Sequence, residues 1–151
     1  MSGIRCPVTG RRQTADGRRE ETLVRLGMES ILGRYKTTFY AILRVVSGLL
    51  FAVHGAQKLF GVLGGPGPVS PISQMALAGI IEFFGGLSIA LGLFTSVWAF
   101  LASGQMAVAY FQAHMPRGFW PVQNGGELAL MFCFAFLYIA SMGTGKWGVR
   151  R

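Results

Sequence analysis

The chain has 151 residues, 52% of them hydrophobic and 13% charged, with a mean hydropathy of +0.47. That length holds one domain, and that composition belongs to a membrane protein rather than to a water-soluble globule. The formal net charge of +8 does not imply a nucleic-acid partner, because most basic residues lie in 1–36 and 146–151 instead of being spread over a folded face.

Residues 1–27 are rich in Arg, Gly, Glu and Thr with little periodicity, the composition of a segment that buries too little apolar area to order itself. A basic, disordered cytoplasmic tail is therefore expected over 1–36. Met28 opens a short amphipathic lead-in, MESILGRYKTTF, and translation from Met28 is an alternative that an intact mass of the native protein decides. The first apolar stretch begins only near Thr38 and is too long for a signal-peptide core, so it reads as an uncleaved first helix.

Four apolar stretches follow, at 38–60, 73–94, 97–115 and 125–142, each approaching the roughly 20 residues that cross a bilayer core. Main-chain amides find no water in a bilayer and these stretches are too long for barrel strands, so helices remain. The predicted fold is all-α, a membrane-embedded antiparallel four-helix bundle over 37–145, followed by a short basic cytoplasmic C-terminus at 146–151. In the first span Arg44, Gly48, Phe51, Gly55 and Lys58 recur at helical spacing with Ser47 and His54 beside them, a small and polar face opposite a lipid-facing one with Leu43, Leu50 and Val53. The uncharged GVLGGPGPVSP segment then breaks the helix.

In the second span Gly79, Glu82, Gly86, Ile89 and Ala90 share a face whose small residues admit a neighbouring backbone, which turns Glu82 inward. Thr95 is the expected N-cap of the third helix, Ala99, Ser103 and Ala107 its packing stripe, and Pro116 its stop. Asn124 is the expected cap of the fourth helix. Glu127 falls in that helix's first turn, where a carboxylate complements the helix dipole by about 0.3–1 kcal/mol.

Lys and Arg outside the spans are concentrated at the two ends, from Arg5 to Lys36 and from Lys146 to Arg151, while the 61–72 and 116–124 loops hold only Arg117. The positive-inside rule then places both termini in the cytoplasm, as an even number of crossings requires. Cys6 in the tail and Cys133 in the last span are unsuited to a structural disulfide and lack metal-ligand spacing. No nucleotide-loop, zinc or nucleophile-elbow signature is present, and no metal site is expected.

This topology gathers His54, Gln57, Lys58, His114 and Glu127 near the outer face, with Glu82 about 14 Å deeper along its helix. A charge in hydrocarbon costs at least about 2.5 kcal/mol on insertion scales, so partnered intramembrane charges mark function by default. Lys58 is expected to pair with Glu127 or Glu82, and His54 to carry protons between them. Simpler readings stand beside these: Lys58 snorkelling to headgroups, Glu127 as a helix-capping carboxylate, and Arg44 anchoring its helix or satisfying carbonyls. Glu82, in mid-span, has few cheap structural roles. His54 and His114 at similar depth raise a bis-imidazole haem, which two histidines alone support poorly.

The series Arg44-x3-Gly48, His54-Gly55-x-Gln57-Lys58-Leu59-Phe60, Gly79-x2-Glu82-x2-Gly85-Gly86, Leu91-Gly92-Leu93-Phe94-Thr95 and Asn124-Gly125-Gly126-Glu127 resembles the DoxX family of small four-helix membrane proteins, from about Thr38 to Trp147. The resemblance implies a bacterial or archaeal plasma-membrane protein, with relatives that serve in quinone-linked oxidoreductases, thiosulfate oxidation included, or in membrane complexes handling thiol and oxidative stress. The family's usual ending, a Gly-rich turn followed by Ser-x-Asp, is replaced here by Gly143 to Arg151, with no acidic residue.

The leading expectation is a subunit of a quinone-linked oxidoreductase or membrane redox complex. Its outer polar pocket of His54, Gln57, Lys58, Glu82 and Glu127, with Arg44, His114 and Asn124 as secondary residues, binds a quinone headgroup or moves its proton. Electrons come from a partner subunit or a reduced substrate, since no redox centre is visible in the chain. The alternatives are a small proton-coupled transporter that uses Glu82 and rocks within a homo-oligomer, or a non-catalytic assembly subunit.

Overall fold

The computed structural model describes residues 15–65 and 68–149, and side chains from Leu23 onward. Every regular element among the described residues is helical. Two stretches, Leu23–Phe60 and Gln74–Leu91, are long and apolar enough to cross a membrane, and Glu127–Met142 is a shorter apolar helix. The chain divides into two units, Met1–Lys36 and Thr37–Arg151.

Helix α1 runs from Ala15 to Phe60, so the first unit is helical from Ala15, where composition alone predicts an unstructured tail. Residues 1–14 of that expectation lie outside the described residues. The reason for the difference is local: Leu, Arg, Glu and Met are good helix formers and outnumber the glycines here. Arg25 Nε also donates to Glu29 at 2.9 Å, one turn on, an exposed pair that contributes only about 0.3–0.5 kcal/mol.

In the second unit the α1 sequence has two faces. Ile42, Leu43, Val46, Leu49, Leu50 and Val53 are exposed, while Tyr40, Ala41, Arg44, Ser47, Phe51 and Ala52 are buried. The buried face meets a helix that is broken in the middle: α2 (Gln74–Ile80) passes through a π-helical turn, Ile81–Gly85, into α3 (Gly86–Leu91). Ser73 caps α2, its side chain accepting from the Ala76 N–H at 3.1 Å. Close approach depends on glycine. A Cβ on Gly48 would lie 2.7 Å from Ala90 N and from Gly86 O, and one on Gly86 would lie 2.5 Å from Ala52 N. The face predicted from Gly79, Glu82, Gly86, Ile89 and Ala90 is buried throughout.

Gly92, with φ of +79°, ends α3, and Phe94 in the left-handed region precedes α4 (Thr95–Ala109). Thr95 is thus the first helical residue and not the expected cap; its hydroxyl lies 3.3 Å from that of Thr144. A second π-helical turn, Tyr110–His114, and a 3-10 turn, Met115–Arg117 containing Pro116, follow. The predicted 97–115 helix is therefore regular only to Ala109. After a short helix α5 (Pro121–Asn124), α6 runs from Glu127 to Met142. Gly126, not Asn124, occupies its cap position. The Asn124 side chain serves from two residues earlier, accepting from the Gly126 N–H at 2.8 Å.

Helices α4 and α6 pack along their length, tied where Ser103 Oγ donates to Cys133 O at 2.8 Å. Phe51, Ile89, Ala99, Ala102, Met106, Phe132, Phe136 and Ile139 form the core. The segment after α6 folds back onto the other end of the core. Buried Arg44 donates through Nη1 to Ile89 O at 2.5 Å and Ala90 O at 2.9 Å, and through Nη2 to Lys146 O at 3.2 Å. Tyr40 donates to Gly143 O and to Ile139 O, and the Val149 N–H reaches Leu91 O at 3.3 Å. The guanidinium thus adds donors at the C-terminal end of α3, where the last carbonyls of an α-helix are short of them; Ile89 O also accepts from the Gly92 N–H at 3.2 Å.

Candidate functional site

Glu82 is the most informative side chain: a carboxylate only 1% exposed, inside an apolar helix. It sits in the π-helical turn, whose widened backbone shifts the register of side chains and is found disproportionately at functional sites. Lys58, from the last turn of α1, forms an ion pair with Glu82 Oε1. Gln105 of α4 donates through Nε2 to the same oxygen at 2.7 Å, and to Ala78 O at 3.4 Å. Both donors serve Oε1, and Oε2 has no hydrogen-bond partner. Leaving a buried acceptor unpaired costs roughly 1–3 kcal/mol, more when it is charged.

Glu82 and Lys58 line a cavity of about 230 Å³ together with His54, His114, Phe51, Met106, Leu128 and Phe132. The polar groups converge on an otherwise hydrophobic chamber, the usual composition of a small-molecule site. His54 stands edge-on to Phe132, with ring centroids 6.4 Å apart. His114 lies in the second π-helical turn, stacked on Tyr110, and its Nδ1 is 3.2 Å from Asn124 O. Asn124 in turn donates to Gly118 O at 2.7 Å, and Tyr110 donates to Phe119 O at 2.9 Å. The loop over residues 118–126 therefore holds His114 in place, as supporting shells of hydrogen bonds commonly do. Among the described residues, no three His, Cys, Asp or Glu side chains converge to hold a metal ion.

Of the residues expected in one pocket, His54, Lys58 and Glu82 do line a common cavity, and His114 joins them. Gln57 does not; it donates to Leu63 O at 3.1 Å in the loop after α1. Glu127 is exposed at the start of α6, and Lys58 pairs with Glu82 instead of with it. The reason is register: Gly126 packs its Cα toward Tyr110 and Asn124, where a Cβ would come within 2.7 Å, and the next residue points outward. Arg44 is engaged with carbonyls near Ile89 and takes no part in the cavity. Gln105 was missed. Its signal was available, since it is the one amide in the apolar run 97–109, but nothing local indicates that it faces Glu82.

The family model for DoxX matches residues 39–115, which carry Arg44, His54, Lys58, Glu82, Gln105 and His114. The chain belongs to the DoxX family. That family is one of small membrane proteins, which accounts for the row of large apolar side chains left exposed along α1, α4 and α6. Asn124 and Glu127 lie beyond the DoxX match. A Haemophilus influenzae protein described as uncharacterized is 40% identical over 121 residues, covering 76% of this chain and 90% of that relative. No solved structure matches the chain.

Proposed function

We propose that this DoxX protein is a multi-pass plasma-membrane protein of a bacterium or archaeon, built as an antiparallel four-helix bundle with both termini in the cytoplasm. In this reading it acts as a subunit of a quinone-linked oxidoreductase or membrane redox complex, and the cavity around Glu82 receives a quinone headgroup. The observation that carries it is the Lys58–Glu82–Gln105 constellation: a buried carboxylate, held through one oxygen by an ammonium and an amide, on the wall of a cavity that two imidazoles also line. Ionisable groups in hydrocarbon face interior cavities and serve ion or proton movement far more often than packing.

The residues fit such a headgroup. An apolar cavity of about 150 Å³ admits benzene, so one of about 230 Å³ has room for a substituted six-membered ring, with its tail left outside. Lys58 offers N–H groups to a ring oxygen, and Glu82 and His114 offer acceptors for protons on it. A quinone supplies two-electron redox chemistry when bound. The protein's share is to bind the ring, orient it and hold protons at Glu82 and His114.

Purification from native membranes in mild detergent tests the proposal, with organic extraction of bound lipid and identification of co-purifying chains. Quinone near one equivalent per chain is expected, falling several-fold in Glu82→Gln and in Ala109→Phe, which fills the cavity wall. Quinone recovery unchanged by both variants would place the ligand elsewhere or nowhere. Proton-coupled uptake into liposomes that disappears with Glu82→Gln would favour a transporter, and full function of the native complex after replacing His54, Lys58, Glu82 and His114 together would favour an assembly role.

A further inference from the structure

The end of the core where Arg44 is buried carries two bulky residues on left-handed backbone. Phe94, at φ of 45°, joins α3 to α4 and is 69% exposed. Trp147, at φ of 61°, lies in the segment after α6 and is 65% exposed. That conformation is disfavoured roughly tenfold for a residue with a Cβ, whereas glycine adopts it freely. Neither ring gains much burial within the chain in return. The two sites are neighbours: the Val149 N–H donates to Leu91 O at 3.3 Å, and the Thr144 hydroxyl lies 3.3 Å from that of Thr95.

Beside Phe94 begins a groove of about 540 Å³ between α4 and α6, lined by Phe100, Leu101 and Leu137, with Ser96 and Ser141 at its near end. That is more than three times the roughly 150 Å³ that admits a benzene ring, so a length of acyl chain has room in it. The charge around this end has one sign. Residues 91–97 and 141–151 contain Lys146, Arg150 and Arg151 and no Asp or Glu. Lys146 is exposed and, among the described residues, in no ion pair. A cation and aromatic rings beside an apolar groove match the layers of a phospholipid, with its anionic headgroup outermost and its chain beneath. We propose that this end of the helices binds one anionic phospholipid. An acyl chain fills the α4/α6 groove, Lys146 and the Ser96 hydroxyl take the headgroup phosphate, and the Phe94 and Trp147 rings sit at the boundary between the two. Contact with the lipid then offsets the backbone strain at both rings. The inference rests on the membrane placement proposed above and is independent of what occupies the Glu82 cavity.

The test uses the purified full chain in detergent and counts retained molecules by native mass spectrometry. Three probes are compared: dioleoylphosphatidylglycerol, dioleoylphosphatidylcholine and glycerol phosphate. One phosphatidylglycerol per chain is expected, retained at least about fivefold over phosphatidylcholine at equal concentration, the share of one lysine beside an anionic headgroup. Glycerol phosphate alone should leave no adduct. Lys146→Gln should bring the two lipids level, and Ser141→Trp, which fills the near end of the groove, should remove both. Phe94→Gly should lower phosphatidylglycerol retention while raising the thermal midpoint in lipid-free detergent, a pair of shifts that a misfolded variant does not give. Equal retention of the two lipids by the parent protein would overturn the anionic selection, and full retention in Ser141→Trp would overturn the groove as the seat of the chain. Retention of glycerol phosphate alone would make this an anion site without a lipid and overturn the proposal. So would a dimer peak that persists in both lipids and disappears with Ser141→Trp, which would assign the groove to a second copy of the chain.

Discussion

Replacing glycine by alanine at Gly55 and at Gly104 is the same chemical change with opposite expected signs. A Cβ on Gly55 would stand 2.3 Å from Phe83 N, 2.7 Å from Phe83 Cα and 2.8 Å from the Glu82 carbonyl carbon. All three are main-chain atoms, so no side-chain rotation relieves the overlap, and α1 must move away from the π-helical turn by about 1 Å. Overpacking of this kind costs about 1–3 kcal/mol, and with no rotamer to yield the upper end applies. The propensity gain of alanine over glycine returns roughly 1 kcal/mol, which leaves a net loss of about 2 kcal/mol. Gly104, inside α4, has nothing within 4 Å of the added carbon, so only the propensity gain remains, about 0.5–1 kcal/mol in favour of the variant. Thermal unfolding in one detergent should separate the two proteins by roughly 5–10 °C, with the parent between them. Because Phe83 follows Glu82, the Gly55 variant should also weaken the coupling between Lys58 and Glu82 in a double-mutant cycle. Equal shifts for the two variants, or a stabilised Gly55→Ala, would refute the close backbone approach.

Arg44→Met removes the guanidinium N–H groups from the carbonyls of Ile89, Ala90 and Lys146, of which Ile89 O keeps the Gly92 N–H, and should destabilise by about 3 kcal/mol in a denaturant titration, with Arg44→Lys recovering less than half because an ammonium cannot span the fork. Glu82→Leu alone should destabilise by at least about 2 kcal/mol, and the double variant with Lys58→Met by distinctly less, since a lone ammonium beside apolar groups is worse than none. Additive losses would count against the ion pair. Asn124→Ala releases the Gly118 carbonyl and the Gly126 N–H; a loss of about 1–2 kcal/mol is expected, with faster hydrogen exchange confined to residues 115–127.

Much of this was legible before any coordinates. Hydropathy and length located the apolar helices, because those signals are carried by neighbours along the chain. The small face of the second apolar stretch likewise follows from spacing alone, and it identified Glu82 as an inward carboxylate. Lys58 and His54 were legible as its company because both share the buried side of α1 with Gly48 and Gly55. Composition misled at 15–27, where helix propensity and an Arg25–Glu29 pair act within a segment that lacks the apolar content of a core.

Partner choice belonged to the tertiary structure. Lys58 had two carboxylates within sequence-level reach, and only the packing of α1 against the π-helical turn directs it to Glu82 while Gly126 turns Glu127 outward. The two π-helical turns, the engagement of Gln105 with Glu82 Oε1 and the unpaired Oε2 leave no pattern in sequence periodicity. The physical reason is range: propensity and burial act over one or two turns of a single helix, whereas a hydrogen bond between side chains 23 residues apart exists only once three helices have fixed their distances and rotations.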